Sequence, residues 1–309
     1  MRTVTRVVLV SVALVLALSA SAPAHEGRGG IDALPVTSTR GLALGETGLT
    51  EIGEAEAFMS NPSCLPSMTG HQVRVTYGTW FGGLTSSRTV LVYATALGGK
   101  VDYPGDPSVG RRFGLGIALD RTGVELSQGS GWAANVLYVG LAWAPVPYVS
   151  MALAPKFIFS SSDLPGGEVS GYAIDWGLRL DLTGRAGLGF VTRNIPGSAG
   201  WKDGESENLP AVYSLGAHYV LPYDLKAELM FAASGNVDNR LGLGIEAPIL
   251  DSMLCVRFGI SWISGDESRS APTAGLGIDL DVLDFDYALK LDQDWATGTT
   301  HRVSIRLDF

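Results

Sequence analysis

The residues with the chemistry to act on a ligand are spaced two apart. Asp284 and Asp286, Arg302, Arg306 and Asp308, and Arg179 and Asp181 each alternate with apolar side chains. Lys156, Asp175, Arg185, Arg193, Lys226, Glu228, Arg240, Glu246, Arg257, Asp279 and Lys290 stand in the same phase within their own segments. A ring of one sign would select ions, and a chain of carboxylates would relay protons. Here the signs are mixed. The expectation for most of these side chains is a paired, hydrogen-bonded network filling a narrow interior.

Catalysis finds less support. A Ser–His–acid set needs a nucleophile beside a base. Of His25, His71, His218 and His301, only His218 falls mid-segment, and no serine stands in a nucleophile-elbow context. Cys64 and Cys255 are far apart and lack metal-ligand spacing, as does every other His, Cys or carboxylate grouping. Neither an enzyme nor a metal or cofactor is expected. In an oxidising compartment the two cysteines can pair.

A period of two is the period of a strand with one apolar face. In the last segment Val303, Ile305, Leu307 and Phe309 share a face, and Arg302, Ser304, Arg306 and Asp308 share the other. Tyr172 to Leu182 and Phe285 to Leu291 repeat the pattern. About fourteen such segments follow one another from residue 72 to the end. Many run to about 9–11 residues, the length that crosses a bilayer at a tilt. Composition agrees. Mean hydropathy is +0.21 with only 17% charged residues and 40 glycines, against about 25% charged in soluble domains. The pattern predicts an all-β fold: a transmembrane antiparallel barrel of about 14 strands.

The ends fit an exported barrel. Arg2 and Arg6 precede an apolar run from Val7 to Leu18, then Ala22-Pro23-Ala24. That is a signal peptide over 1–24, with His25 as the mature N-terminus. Its removal leaves 20 basic against 31 acidic residues, which argues against nucleic acid as a partner. Alternate connections, such as Thr183-Gly184 and Asp281-Val282, are short and would face the periplasm. Residues 97–109 break this rule, being long where a short turn is due. The opposite set, including 195–210, is longer and richer in Gly, Ser and charge. Trp80, Trp143, Tyr148, Tyr223 and Trp262 cluster near strand ends as an interfacial girdle. Residues 25–71 do not alternate, and a plug within the barrel is the preferred expectation for them, with 72–309 as the barrel.

Arg40-Gly41-Leu42-Ala43-Leu44-Gly45, then Phe58-Met59-Ser60-Asn61-Pro62-Ser63-Cys64-Leu65, resembles the N-terminal signature of the PorV/PorQ family of FadL-like outer-membrane proteins. Arg193-Asn194-Ile195 with Gly197, and Thr300-His301-Arg302-Val303-Ser304, look like two further family motifs. The sequence departs from the signature at Glu46 and at Ser63-Cys64. The resemblance implies a fourteen-stranded barrel with an N-terminal hatch carrying Arg40, Leu42, Gly45, Asn61 and Pro62. It implies one of two partners. One is a small hydrophobic molecule, admitted through a hatch and a lateral opening in the barrel wall. The other is an exported surface protein of type IX secretion, docked on a loop carrying Trp201, Lys202, Asp203 and Glu205. A structural porin is a third reading, which the plug opposes. In every case the chain sits in outer-membrane lipid, and Val303, Ile305, Leu307 and Phe309 resemble a signal to the barrel-insertion machinery.

Overall fold

The computed structural model describes residues 37–80, 85–100, 111–125, 131–163, 167–234, 239–250, 253–264, 268–291 and 298–309. The expected signal peptide, its cleavage site and most of the 97–109 connection lie outside these residues. The strands are β1 (His71–Trp80), β2 (Thr85–Lys100), β3 (Arg111–Glu125), β4 (Gly131–Val146), β5 (Val149–Ser162), β6 (Val169–Thr183), β7 (Ala186–Arg193), β8 (Gly197–Trp201), β9 (Ser206–Asn208), β10 (Val212–Val220), β11 (Lys226–Ser234), β12 (Asn239–Ile249), β13 (Leu254–Ser264), β14 (Arg269–Asp279), β15 (Leu283–Leu291) and β16 (Thr299–Asp308).

All pairings are antiparallel between neighbours, and β16 returns to β1. Fourteen strands close the barrel, and β8 with β9 forms a hairpin above it. Closure removes the two edges that an open fourteen-stranded sheet would present within the bilayer. At the seam Val75 faces Ile305 and Tyr77 faces Val303, while Arg74 faces Arg306 and Thr76 faces Ser304. The apolar members are exposed and the polar ones buried. That inversion decides between a soluble sandwich and a barrel in lipid, which periodicity alone cannot do.

Two features of the strands depart from what the sequence predicts. Strands β10–β16 have 9–11 residues, as expected. Strands β2–β6 have 14–16, which adds roughly 15 Å along the strand at about 3.3 Å per residue. Residues 195–210 are not an irregular loop. After Thr192 pairs with Trp176 the chain bulges, and it resumes on β6 where Gly197 pairs with Ala173. Ile174 gives its N–H to the Pro196 carbonyl and accepts from the Ile195 N–H, both at 2.9 Å. The β8–β9 hairpin is the extension of β7 and β10 beyond that bulge.

Residues 37–70 lie inside the ring and are almost wholly buried. They form α1 (Thr39–Ala43), α2 (Ala57–Ser60) and a 3-10 turn, Pro62–Ser67. The Ser38 hydroxyl caps α1 by accepting from the Gly41 N–H at 2.8 Å. Asn61 caps the 3-10 turn by accepting from the Ser63 N–H at 3.1 Å, and Pro62 follows where no donor is needed. The wall makes room with glycine. A Cβ on Gly259 would stand 2.3 Å from the Gly45 nitrogen, and Gly45 itself has φ +77. Neither position tolerates a side chain.

Candidate functional site

The N-terminal segment meets two unlike walls. On β11–β16 and β1 the inward side chains are charged. Arg40 clasps Glu246 with two bonds of 2.7 and 2.5 Å. Lys290 reaches Glu46 at 3.0 Å, with Arg240 at 3.8 Å from the same carboxylate. Glu54 takes Arg74 at 2.7 Å and Arg306 at 2.9 Å. The Thr76 hydroxyl donates to Glu56, and Thr47 donates to Glu228, at 3.0 and 2.8 Å. Arg302 donates to the Thr37 carbonyl at 2.5 Å. Behind these, Asp286 binds both Arg74 and Arg257, Arg257 also holds Glu246, and Arg306 also holds Asp284. Arg240, Glu246, Arg257, Asp284, Asp286, Lys290, Arg302 and Arg306 thus form one surface around the segment.

Asp175 and Arg179 stand apart from that surface. Both are on β6, where Asp175 pairs with Lys156 at 3.2 Å and Arg179 with Asp181. Two sequence assignments are corrected: Arg185 and Asp279 are exposed, because each lies at a strand end where the chain turns. Arg193 does face inward, but it binds the segment's backbone, donating to the Met59 and Ser60 carbonyls at 3.2 and 2.8 Å. Cys64 and Cys255 are both free. The Cys64 thiol points at the Leu49 carbonyl within the segment, 3.8 Å away, while Cys255 is half-buried in β13. Burial pushes the Cys64 thiol up to about 12, which disfavours its thiolate.

On β2–β6 the inward side chains that meet the segment are mostly apolar, although the same wall also buries the ion pairs Arg88–Asp120, Lys156–Asp175 and Arg179–Asp181. Val90, Val92, Ala118, Val136, Tyr138 and Ile158 form one cluster with Phe58, Met59, Leu65 and Met68 of the segment. A Cβ on Gly140 would meet Leu65 at 2.8 Å and Phe58 at 2.9 Å. A Cβ on Gly177 would stand 2.4 Å from the Asn61 side-chain oxygen. Here the wall is one glycine thick. On its outer side lies a groove of about 420 Å³ lined by Phe113, Leu141, Trp143, Met151, Leu153, Trp176 and Leu178, with Ala142, Ala152 and Gly177 at its floor.

The groove follows an interruption in the ladder. Strands β4 and β5 pair at Tyr138–Lys156 and again at Leu141–Leu153, with no paired residues between. Pro155 lies in that gap. Its other neighbour, Ile174, bonds away from β5, so the Pro155–Ile174 pair is a non-hydrogen-bonded one. The donor that proline lacks is therefore the one owed to β4. Of the long 97–109 connection only the part to Lys100 is described, where β2 pairs with Arg111 after a register shift past Leu97; the gap in the ladder lies between β4 and β5.

Leu42 is buried against Ala43 and Ala288. The Asn61 amide donates to the Leu49 carbonyl at 2.8 Å. Trp201, Lys202, Asp203 and Glu205 form the hairpin tip, where Lys202 pairs with Glu168 at 2.9 Å in solvent. Val303, Ile305, Leu307 and Phe309 are exposed, and Phe309 exchanges two 3.0 Å backbone bonds with His71. Glu54, Glu56, Arg74, Gly140 and Pro155 were missed as site residues. Arg74 was visible, since Gln72, Arg74 and Thr76 alternate with Val73, Val75 and Tyr77. The others depend on contacts that no local pattern encodes.

No family model and no curated protein matches the sequence. Among solved structures the chain is similar to the CymD monoaromatic hydrocarbon channel, with TM-score 0.65 and 12% identity over 91% of this chain and 99% of that one. It is similar to the Pseudomonas putida toluene transporter TodX, with TM-score 0.66 and 14% identity over 91% and 100%. A FadL homologue of Pseudomonas aeruginosa gives TM-score 0.64 and 11% identity over 89% and 99%. At these identities the likeness is one of fold.

Proposed function

We propose that this chain is an outer-membrane channel of the PorV/PorQ, FadL-like type that admits small hydrophobic compounds. Residues 37–70 act as its hatch, preceded by a signal peptide over 1–24. The observation that carries the reading is the groove on β3–β6. It is apolar, it lies where the β4–β5 ladder is interrupted, and Gly177 in its floor abuts Asn61 of the hatch, while Gly140 in the interrupted stretch of β4 seats Phe58 and Leu65. A hydrophobic ligand loses nothing by passing from an apolar lumen wall to an apolar groove and then to lipid. An ion would have to shed its water there. The end carrying Phe309 and the short turns faces the periplasm, and the β8–β9 hairpin faces outward.

The test is uptake of a labelled alkane, with a labelled fatty acid in parallel, by vesicles holding the folded barrel. Uptake no faster than in empty vesicles would sink the channel. A second reading, a shuttle or anchor for exported surface proteins, draws on the ordered hairpin tip at Trp201–Glu205 and the ion-paired hatch. It expects no uptake, together with capture of a secreted protein that is lost when the tip is replaced.

A further inference from the structure

Three successive turns at the Phe309 end present bulky apolar side chains to solvent. Between β10 and β11 Tyr223 is 93% exposed, between β12 and β13 Leu250 is 63% exposed, and between β14 and β15 Val282 is 63% exposed. Phe309 beside them is 71% exposed. Tyr223 and Leu250 hold φ of +64 and +51. Turn apices with positive φ are normally Gly, Asn or Asp, and Asp224 and Asp281 of the same turns follow that rule with φ +56 and +67. A tyrosine and a leucine there are strained and exposed at once. Folding alone does not account for them.

The turns are continuous with the outward apolar band. Leu243, Ile245 and Ile249 run down β12 to Leu250, and Ile305 and Leu307 run down β16 to Phe309, all exposed. On β12 and β16 the outward apolar face continues to Ile249 and Phe309 with no polar side chain interrupting it. Elsewhere at this end the β6–β7 turn is polar, with Thr183, Gly184 and Arg185 exposed. Beside the apolar tips stand the exposed carboxylates Asp224, Asp279 and Asp281, and no exposed lysine or arginine is found among the described residues of these turns.

We propose that Tyr223, Leu250 and Val282, at the ends joining β10 to β11, β12 to β13 and β14 to β15, form a lipid-anchoring rim, immersed in the headgroup and upper acyl layer of the bilayer. Their partner is a phospholipid surface, and the adjoining aspartates favour amine-bearing headgroups over anionic ones. Strained apolar apices are retained because burial in that layer offsets the strain. The rim tips the short wall of the barrel into the membrane while the long wall projects beyond it. This inference rests on the membrane-spanning reading above.

The test places a polarity-sensitive fluorophore at single cysteines, Tyr223→Cys, Leu250→Cys and Val282→Cys, in a background lacking Cys64 and Cys255. Heat-modifiable migration confirms folding into phosphatidylethanolamine–phosphatidylcholine vesicles. Leu243→Cys reports the mid-band and Lys202→Cys the exposed hairpin. The expected result is blue-shifted emission at the three turns, quenched by a nitroxide high on the acyl chain within about twofold of the quenching at Leu243→Cys. Replacing the amine lipid by phosphatidylglycerol should reduce that quenching. Turn emission matching Lys202→Cys, with Leu243→Cys still quenched, overturns the rim alone and leaves the turns free for a protein. An unquenched Leu243→Cys overturns the membrane-spanning reading and the rim with it.

Discussion

The wall of β2–β6 and the wall of β11–β16 with β1 enclose one segment but hold it by different physics. The charged wall grips it through directional ion pairs: Arg40 to Glu246, Glu46 to Lys290, Glu54 to Arg74 and Arg306. Each has a fixed geometry and leaves a buried charge if it opens. The apolar wall grips it by shape, with Phe58 and Leu65 seated over Gly116 and Gly140. Contacts of that kind are individually small and re-form in many positions. A segment held in this way has directional anchors on one side and mainly van der Waals packing on the other. The packed side is the one that faces the groove.

The largest effect expected from this contrast is at Arg74. It is buried and contacts Glu54, Glu56 and Asp286. Arg74→Ala leaves Glu56 without its cation and takes one of two arginines from Glu54 and Asp286, which should cost about 3 kcal/mol, read as a lower urea midpoint for the barrel in vesicles. A loss below about 1 kcal/mol, the range of solvated pairs, would mean the charged wall is wet and does not fix the segment.

On the other wall, Phe58→Ala should cost about 3 kcal/mol through the cavity it leaves. The signature that separates the walls is uptake. Loosening the apolar side should speed hydrocarbon entry. Arg74→Ala should leave it within the scatter of wild type once the remaining folded fraction is counted. Equal changes in both would break the comparison.

The charged wall was legible in the sequence. The alternation of Asp284 and Asp286 with Phe285 and Tyr287, and of Arg302 to Asp308 with Val303 to Phe309, gives strand, face and sign together. The apolar wall was not. Val90-Leu91-Val92-Tyr93 is apolar on both faces, so no alternation marks which side chains look inward. The glycine seats registered only as composition, because what Gly140 accommodates is Phe58 and Leu65, far away in sequence. Pro155 fell within a segment already read as strand. Its meaning appears only when β4 lies on one side of it and Ile174 on the other bonds elsewhere.

A smaller effect sharpens the contrast within the segment. Glu46, Glu54 and Glu56 each face a wall cation. Glu51 does not: its carboxylate accepts from the Ser38 hydroxyl at 2.7 Å, inside the segment. Burial, with the nearby Glu228 carboxylate adding to it against the pull of Arg40, raises the Glu51 carboxyl to about 8. The folded segment therefore holds a proton that an unfolded one releases above the ordinary carboxylate range. Its stabilisation is complete below that range and is lost as the pH rises through about 8. Protection factors over residues 37–70, corrected for the intrinsic base catalysis of exchange, should be higher at pH 6 than at pH 9, and Glu51→Gln should remove the difference. An unchanged profile in Glu51→Gln would assign the pH response to the wall.

The smallest expected effect on stability is at Pro155, and it bears most directly on the route. Pro155→Val supplies the N–H that β4 lacks, in a β-branched residue suited to the lipid face. One added ladder bond is worth about 1 kcal/mol, so the barrel should become slightly more stable. If the ligand crosses the wall where the β4–β5 ladder is open, the same change should slow hydrocarbon uptake while the hatch and charged wall stay as they are. Gly140→Ala offers the converse. Its added methyl presses on Phe58 and Leu65, whose side chains can yield, and should shift the seat of the hatch without touching the ladder. Slower uptake in Pro155→Val with a stable, folded barrel locates the crossing point. Unchanged uptake, with the gap closed, places the route along the lumen axis and leaves the apolar wall as a seat for the hatch alone.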